Sequence, residues 1–384
     1  MKKCIALLMA LAMLLSMAAC GGEASVVSSQ PEAVSAPAEA AQPAPQEGEA
    51  PAPQEEEIPE EPSAQEESLV EAPQEAPPAD TGFYNPLTGE PTEYDLSQYR
   101  PYTAMLNTIK QALPQSSNSQ ADMLIEATEE GGITRVMGVY QDLTKIGNIG
   151  TIRSTREYFV YLTMGLDALL IHAGCSETAT EELEEHNYKT VDFLDGAGSA
   201  FWRDQWRKEN IASEHSLYTS GEKVLKYISD RGWRYTHEEG FESPYAFTAD
   251  GTPENGQSAL EISASFSDYK TTKFVYDEAS KTYKVFAYGD AYMDEATDTQ
   301  VAVTNVVVIP TKQTAIGFDG LQRFDLSEGT GYFACGGKYV PIHWEKGGEE
   351  DPLRFYNEDG SVLELGVGKT YICILGDTRP ISAK

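Results

Sequence analysis

Between Cys20 and Arg100 the chain contains no lysine or arginine, and residues 21–80 consist mainly of Pro, Gln, Glu, Ala and Ser with scarcely any large apolar side chain. Such a stretch cannot bury enough surface to offset the entropy lost on ordering, so it is expected to be disordered. Like charges and frequent prolines should keep it extended, as a tether. Folding then falls to the roughly 300 residues behind it, which is room for two domains with proper cores. The formal net charge of −33 owes much to the tether, and its sign weighs against nucleic acid as a partner.

Residues 1–20 read as a delivery signal. Lys2 and Lys3 precede an apolar run, Ile5 to Met17, and small residues lead to Cys20. That run is too short to span a bilayer, which takes about 20 apolar residues. Met17-Ala-Ala-Cys20 resembles a bacterial lipobox, so the expected mature chain begins at a lipidated Cys20 and sits on the outer face of the cytoplasmic membrane. The alternative is an ordinary cleaved signal with an incidental cysteine. Cys175, Cys335 and Cys373 are odd in number and widely spaced, which argues against a disulfide framework or a zinc knuckle. A Cys335–Cys373 bridge and free buried thiols both remain open.

In residues 81–240, Tyr102 to Leu106, Ala121 to Ala127, Ile133 to Tyr140 and Asp167 to Gly174 read as strands, and Glu129-Glu-Gly-Gly132 as a turn. Helices are expected from Thr155 to about Gly165, from Glu177 to His186, and after a cap at Thr219 or Ser220. From 257 to 384 short alternating runs dominate: Leu260 to Phe266, Thr272 to Tyr276, Tyr283 to Tyr288, Val301 to Ile309, Gly331 to Cys335, Tyr339 to Trp344, Leu353 to Tyr356 and Thr370 to Leu375. The expected fold class is α+β: an N-terminal α/β domain, then a mostly antiparallel β domain that either shares one core with the first or stands alone, with the boundary between Phe241 and Gly256.

Chemistry concentrates at Ile149-Gly-Thr-Ile-Arg-Ser-Thr-Arg-Glu157. Ser154 followed by Glu157 matches a capping box. Arg153 and Arg156 would then flank the positive end of a helix dipole, where a cation is unfavourable unless something negative lies near. Free N–H groups and guanidinium forks suit a phosphate or carboxylate. The competing reading, favoured in so acidic a chain, pairs these arginines with Asp122, Glu126, Glu129 or Glu157. Candidate anion or ligand residues are therefore Arg153, Arg156, Arg135, Asp122, Glu126 and Ser154. Secondary candidates are His172, at the carboxyl end of a strand where α/β crevices open, and Trp202, Arg203, Asp204 and Arg207, which interleave aromatic and charged groups in Phe201-Trp-Arg-Asp-Gln-Trp-Arg207. For His172 a hydrogen-bonded core role is favoured. For the arginines of 201–207 the favoured reading is that they lie over the tryptophans at a domain surface. No metal site is expected from the histidine spacing.

Several motifs form a specific set: Asn85-Pro-Leu-Thr-Gly89, Arg100-Pro101, Pro114-Gln-Ser116, Gln120-Ala-Asp122, Glu130-Gly-Gly-Ile-Thr-Arg135, Ile149 to Arg156, His172-Ala-Gly174, Phe201-Trp-Arg-Asp204, Asn305-Val-Val-Val308, Gly329-Thr-Gly331 and His343-Trp-Glu-Lys346. As a set they resemble the YerB-like bacterial lipoproteins, which carry the domain of unknown function 3048. The resemblance runs from about Phe83 to the C-terminus and departs at Ser213-Glu-His-Ser216, where the family usually shows Pro-His-Asn. It implies an anchored envelope protein and no established activity.

No nucleophile elbow, P-loop, dinucleotide fingerprint or paired-histidine metal motif occurs. The leading expectation is a membrane-anchored binding or scaffolding protein that docks an envelope protein or wall component, with no cofactor. The second is an envelope enzyme for a phosphate-linked or wall substrate. In it Asp122 and Glu126 would hold Mg²⁺ or act as base, and Arg135, Arg153 and Arg156 would hold the anion, by analogy with the LytR-CpsA-Psr phosphotransferases, which the chain faintly resembles. A solute-binding lipoprotein is third.

Overall fold

The computed structural model describes residues 81–318 and 320–384. Cys20 and the tether lie outside the described residues. The framework is an eleven-stranded mixed sheet. Its middle is Thr370–Gly376, hydrogen-bonded in parallel to Asn305–Thr311 on one side and to Met123–Thr128 on the other. Thr370–Gly376 reads Thr-Tyr-Ile-Cys-Ile-Leu-Gly and is buried along its whole length. A continuous apolar, β-branched run of this kind is what a strand covered on both faces requires.

From Met123–Thr128 the sheet continues through Thr134–Tyr140 and Tyr102–Asn107, both antiparallel steps, then through parallel steps to Leu169–His172 and Val191–Asp192. In the other direction, Asn305–Thr311 carries Glu328–Cys335, Lys338–Glu345 and the short edge Gln257–Ser258, with Arg354–Tyr356 also paired to Lys338–Glu345. The expected α/β part and β part are therefore not clearly distinct. Strands of both halves interleave in one sheet, because the last long strand returns to pair with an early one.

Side chains alternate across this sheet, as the period of two demands. Leu124, Val136, Tyr371 and Cys373 face a layer built on the six-stranded sheet, meeting Ile262, Phe274 and Val285. Met123, Ile125, Met137 and Ile372 face the other way, onto Tyr158, Phe159 and Leu162 of helix α1 (Glu157–Gly165) and onto Phe333 and Trp344. Cys335 belongs to this second core and Cys373 to the first, so the two thiols lie on opposite sides of the sheet, and both are free.

Most expected elements form within a few residues of their predicted bounds. Helix α2 (Glu177–Glu185) is capped by the Ser176 hydroxyl, which accepts from the Ala179 N–H, and α4 (Gly221–Asp230) is capped by Ser220. Between them lies the short α3 (Gln205–Asn210). The exception is α1, which begins at Glu157 with Arg156 in the cap position and no side-chain cap. Ser154 is not its cap. Its hydroxyl lies 3.3 Å from Arg135 Nη1 and 3.1 Å from Arg156 Nη1, while the Glu157 carboxylate pairs with Arg323 at 2.6 and 3.1 Å. Both members of the capping box are drawn away by charged partners distant in sequence, which outbid a neutral cap bond. Among the described residues no helix is long and apolar enough to cross a membrane.

Candidate functional site

The arginines of the junction separate into two groups. Arg135 and Glu129 are both buried and pair at 2.6 Å. Arg156 holds Glu130 through two bonds, Nε–Oε1 at 2.9 Å and Nη2–Oε2 at 2.6 Å, and approaches Glu129 at 3.8 Å. The Ser154 carbonyl accepts from Arg135 Nη1. Burial pulls the Arg135 guanidinium down to about 10, with Glu129 opposing it, and burial likewise raises the Glu129 carboxyl. Two cations and two anions thus close on one another, and the glycine turn after Glu130 brings both acids to the arginines.

The two acids expected beside these arginines lie elsewhere. Asp122 accepts from Asn85 Nδ2 at 2.8 Å and from the Gln141 N–H at 2.7 Å, and burial pushes its carboxyl up to about 6 despite these bonds. Glu126 is fully buried at the seam between the halves. It meets Lys270 Nζ at 3.1 Å and accepts from Thr134 Oγ1 at 2.5 Å, Thr272 Oγ1 at 2.6 Å and the Tyr371 hydroxyl at 2.8 Å. A charge at this depth persists only when its lone pairs are matched. No sequence motif marked Lys270, Thr272 or Tyr371 as its partners, since they lie more than a hundred residues downstream.

The secondary candidates have structural partners as well. His172 is buried, with Nδ1 at 2.9 Å from the Gly174 carbonyl and Nε2 at 2.8 Å from Thr190 Oγ1. The carbonyl can only accept, which sets Nδ1 as the protonated nitrogen. Burial holds this imidazole below its ordinary range. Trp202 stacks on Tyr218 at 6.1 Å, beneath Lys223 rather than an arginine, and Asp204 caps α3 by accepting from the Arg207 N–H. Arg207 is buried, donates to the Ala112 and Pro114 carbonyls at 2.9 and 2.6 Å, and pairs with Glu295 at 3.0 Å. It clasps the loop 114–120, which Asp294 holds from the other half by accepting from the Ser117 and Ser119 N–H groups at 3.1 and 2.8 Å. The richness of that loop in hydrogen-bonding side chains was the one available sign of this docking.

Arg153 and Arg203 remain. Both line a crevice of about 320 Å³ with Ile152, Gly174, Phe193 and Leu194. It opens at the carboxyl ends of the parallel strands Tyr102–Asn107, Leu169–His172 and Val191–Asp192, the position at which ligands enter α/β sheets. The segment carrying Arg153 is fixed on both sides: its N–H donates to the Met105 carbonyl and its carbonyl accepts from the Ala173 N–H. Arg153 Nη1 donates to the Glu214 carbonyl at 3.2 Å, Arg203 Nη1 donates to the neighbouring Ser213 carbonyl, and Arg203 also lies 5.3 Å over the Phe193 ring. Neither has a carboxylate within 4 Å among the described residues. Cys175, at the same crevice, is half-buried with its thiol raised by burial and 3.1 Å from Thr180 Oγ1.

Two groupings have atoms close enough to hold a metal ion, His172–Cys175–Asp192 and Glu182–His186–Glu349. In the first, both His172 nitrogens and Asp192 Oδ1 are already bonded. Neither grouping includes Asp122 or Glu126. A larger cavity of about 820 Å³ lies around Arg100, Asp167, Trp233 and Arg234, but its central charges are closed: Asp167 takes Arg234 twice at 2.7 Å, Arg100 at 3.2 Å and His237 at 3.1 Å.

Two family models match the chain: the N-terminal domain of the protein of unknown function DUF3048 over residues 87–234, and its C-terminal domain over 262–372. A protein of Bacillus subtilis (strain 168) named "Putative lipoprotein YerB" is 32% identical over 301 residues, covering 76% of this chain and 86% of its own. The crystal structure of YerB from Bacillus subtilis matches with a TM-score of 0.68 at 29% identity, covering 78% of this chain and 99% of the solved one.

Proposed function

This chain belongs to the DUF3048 family, and on that premise we propose that it is a membrane-anchored binding or scaffolding protein of the cell envelope. In this reading Cys20 carries the lipid and holds the chain on the outer face of the cytoplasmic membrane, residues 21–80 set its reach, and the folded body engages an envelope protein or wall component. The name of the YerB relative supports the anchor. The observation that carries the reading is the dispersal of the groups an enzyme would need. Asp122, Glu126 and the Arg135–Arg156 pair sit in three separate places, and each is spent on a partner inside the fold. Such networks hold a body rigid, and a rigid body with an open polar crevice suits recognition.

The test is photo-crosslinking in intact cells with a photoreactive residue at Leu194, which is 70% exposed at the crevice rim. An adduct with an envelope component should form when Cys20 is intact and weaken strongly in Cys20→Ala. Adducts of equal yield without the anchor, or turnover of a wall or phosphate-linked substrate that Asp122→Ala abolishes, would contradict this reading.

A further inference from the structure

We propose that the crevice between Arg153 and Arg203 is a binding site for an oxyanion, a carboxylate or phosphate borne on a small apolar body; this rests on reading the chain as a binding protein and names the chemistry of its ligand. Acids outnumber bases by 61 to 28 in the sequence. In such a chain an arginine finds a carboxylate almost by default, and Arg100, Arg135, Arg156, Arg207, Arg234, Arg323 and Arg379 all do so. Among the described residues Arg153, Arg203, Arg231 and Arg354 do not; Arg231 instead lies over the Tyr227 ring, and of the four only Arg153 and Arg203 line one crevice together.

They are nonetheless held in place. Their Nη1 groups donate to successive carbonyls of one turn, Glu214 and Ser213, and Arg203 rests on Phe193. A guanidinium carries five N–H donors, and these bonds use one on each. The remaining donors form two anchored forks, which is the geometry that matches an oxyanion bidentately.

The surroundings favour binding there. Behind the crevice the Arg135–Glu129 and Arg156–Glu130 pairs sum to zero charge, so they neither attract nor repel an anion strongly. Glu214, the acid among the lining residues, is exposed and forms no salt bridge with either guanidinium, and the Asp192 carboxylate behind the crevice is taken up by the Gly174 and Leu194 N–H groups. Ile152, Phe193, Leu194 and Leu217 supply apolar walls, which lower the local dielectric and strengthen a charge-assisted bond. Leu194 folds over Gly174, whose positive φ of 75° and missing side chain leave the space: a Cβ there would come within 2.8 Å of Leu194 Cδ1. The volume of about 320 Å³ lies at the small end of ligand sites, which suits one charged group and a short side chain rather than a polymer.

The experiment titrates a fragment of residues 81–384 with N-acetyl-leucine, with its neutral twin N-acetyl-leucinamide, and with inorganic phosphate, followed by calorimetry and melting temperature. All the described hydrogen bonds lie inside this fragment, and its described residues form one compact unit. Saturable binding of the carboxylate or of phosphate, absent for the neutral twin and weakened at least tenfold in both Arg153→Gln and Arg203→Gln, supports the site. Which anion binds distinguishes the carboxylate source from the phosphate source. Arg379→Gln, on a surface pair with Asp268, is the control and should bind as the parent does. No saturable binding of either anion up to about 10 mM, or equal binding by the two crevice variants, overturns the site. If Leu194 adducts persist in cells carrying Arg153→Gln/Arg203→Gln, the oxyanion site falls while the envelope-binding reading stands. If the anion binds in vitro but no adduct forms in cells, the reverse holds.

Discussion

At the seam, the carboxylate of Glu126 meets an ammonium and three hydroxyl groups drawn from both halves of the chain, whereas in the crevice Arg153 and Arg203 meet only carbonyls and an aromatic ring. The two regions are built from the same kinds of residue. They differ in access to water. In the closed core an unmatched charge is costly, so the Glu126 carboxylate is matched and the product is cohesion. In an open crevice donors can stay uncommitted at little cost, because water or a ligand satisfies them. Polar residues at the seam should therefore set stability, and those at the crevice should set binding.

The largest effect is expected at the seam. Lys270→Met removes the cation that Glu126 meets at 3.1 Å, and loss of one partner from a buried ion pair costs about 3–5 kcal/mol. The urea midpoint should fall accordingly, and Glu126→Gln added to Lys270→Met should recover part of the loss. A Lys270→Met protein as stable as the parent would break the comparison.

Asp122 should show a pH dependence of the next size. Burial raises its folded carboxyl to about 6, above the ordinary carboxylate value of 3.8. The native state thus keeps a proton that the unfolded chain has lost. Its contribution favours folding most below pH 4, and stability declines as the pH rises to about 6, by roughly 3 kcal/mol in all. Asp167 acts in the opposite direction, because bonds from Arg234 and His237 outweigh its burial and hold its carboxyl well below the usual range. Its contribution is present above about pH 4 and is lost as the pH falls below it. The parent curve minus that of Asp122→Asn isolates the first effect, and a flat difference between pH 4 and 6 would refute it.

Helix ends give a smaller contrast. Ser176→Ala removes a cap bond to the Ala179 N–H and should cost about 1 kcal/mol in a denaturant melt. A loss below about 0.3 kcal/mol would mean that α2 is held by packing alone.

How far the sequence discloses all this depends on the range of the interactions. The strands around Tyr102, Met123, Thr134 and Leu169 and the caps at Ser176 and Ser220 rest on local periodicity and local hydrogen bonds, and they are legible. Thr370–Gly376 is legible as a strand, but nothing local says that it lies between Asn305–Thr311 and Met123–Thr128, so the halves read as successive domains. The cap at Ser154 fails for the same reason, since Arg135 and Arg323 claim its members from a distance. Of the candidate residues, Arg156 has Asp122, Glu126, Glu129 or Glu157 as its expected partners, and it pairs with Glu130 at 2.6 Å and approaches Glu129 at 3.8 Å. Composition could not separate Arg153 from it, because what distinguishes the two is the glycine turn that delivers Glu129 and Glu130 to one and not the other.

The measurement that bears most directly on the division between holding and binding is the unfolding free energy of Arg153→Ala/Arg203→Ala, taken with and without N-acetyl-leucine at a concentration that saturates the parent. Without ligand the variant should lie within about 0.5 kcal/mol of the parent. With ligand it should lose the gain, which for the parent at a hundred times the dissociation constant is about 2.7 kcal/mol. A variant markedly less stable without ligand, or one that keeps the full gain with it, would show that Arg153 and Arg203 hold the fold rather than bind.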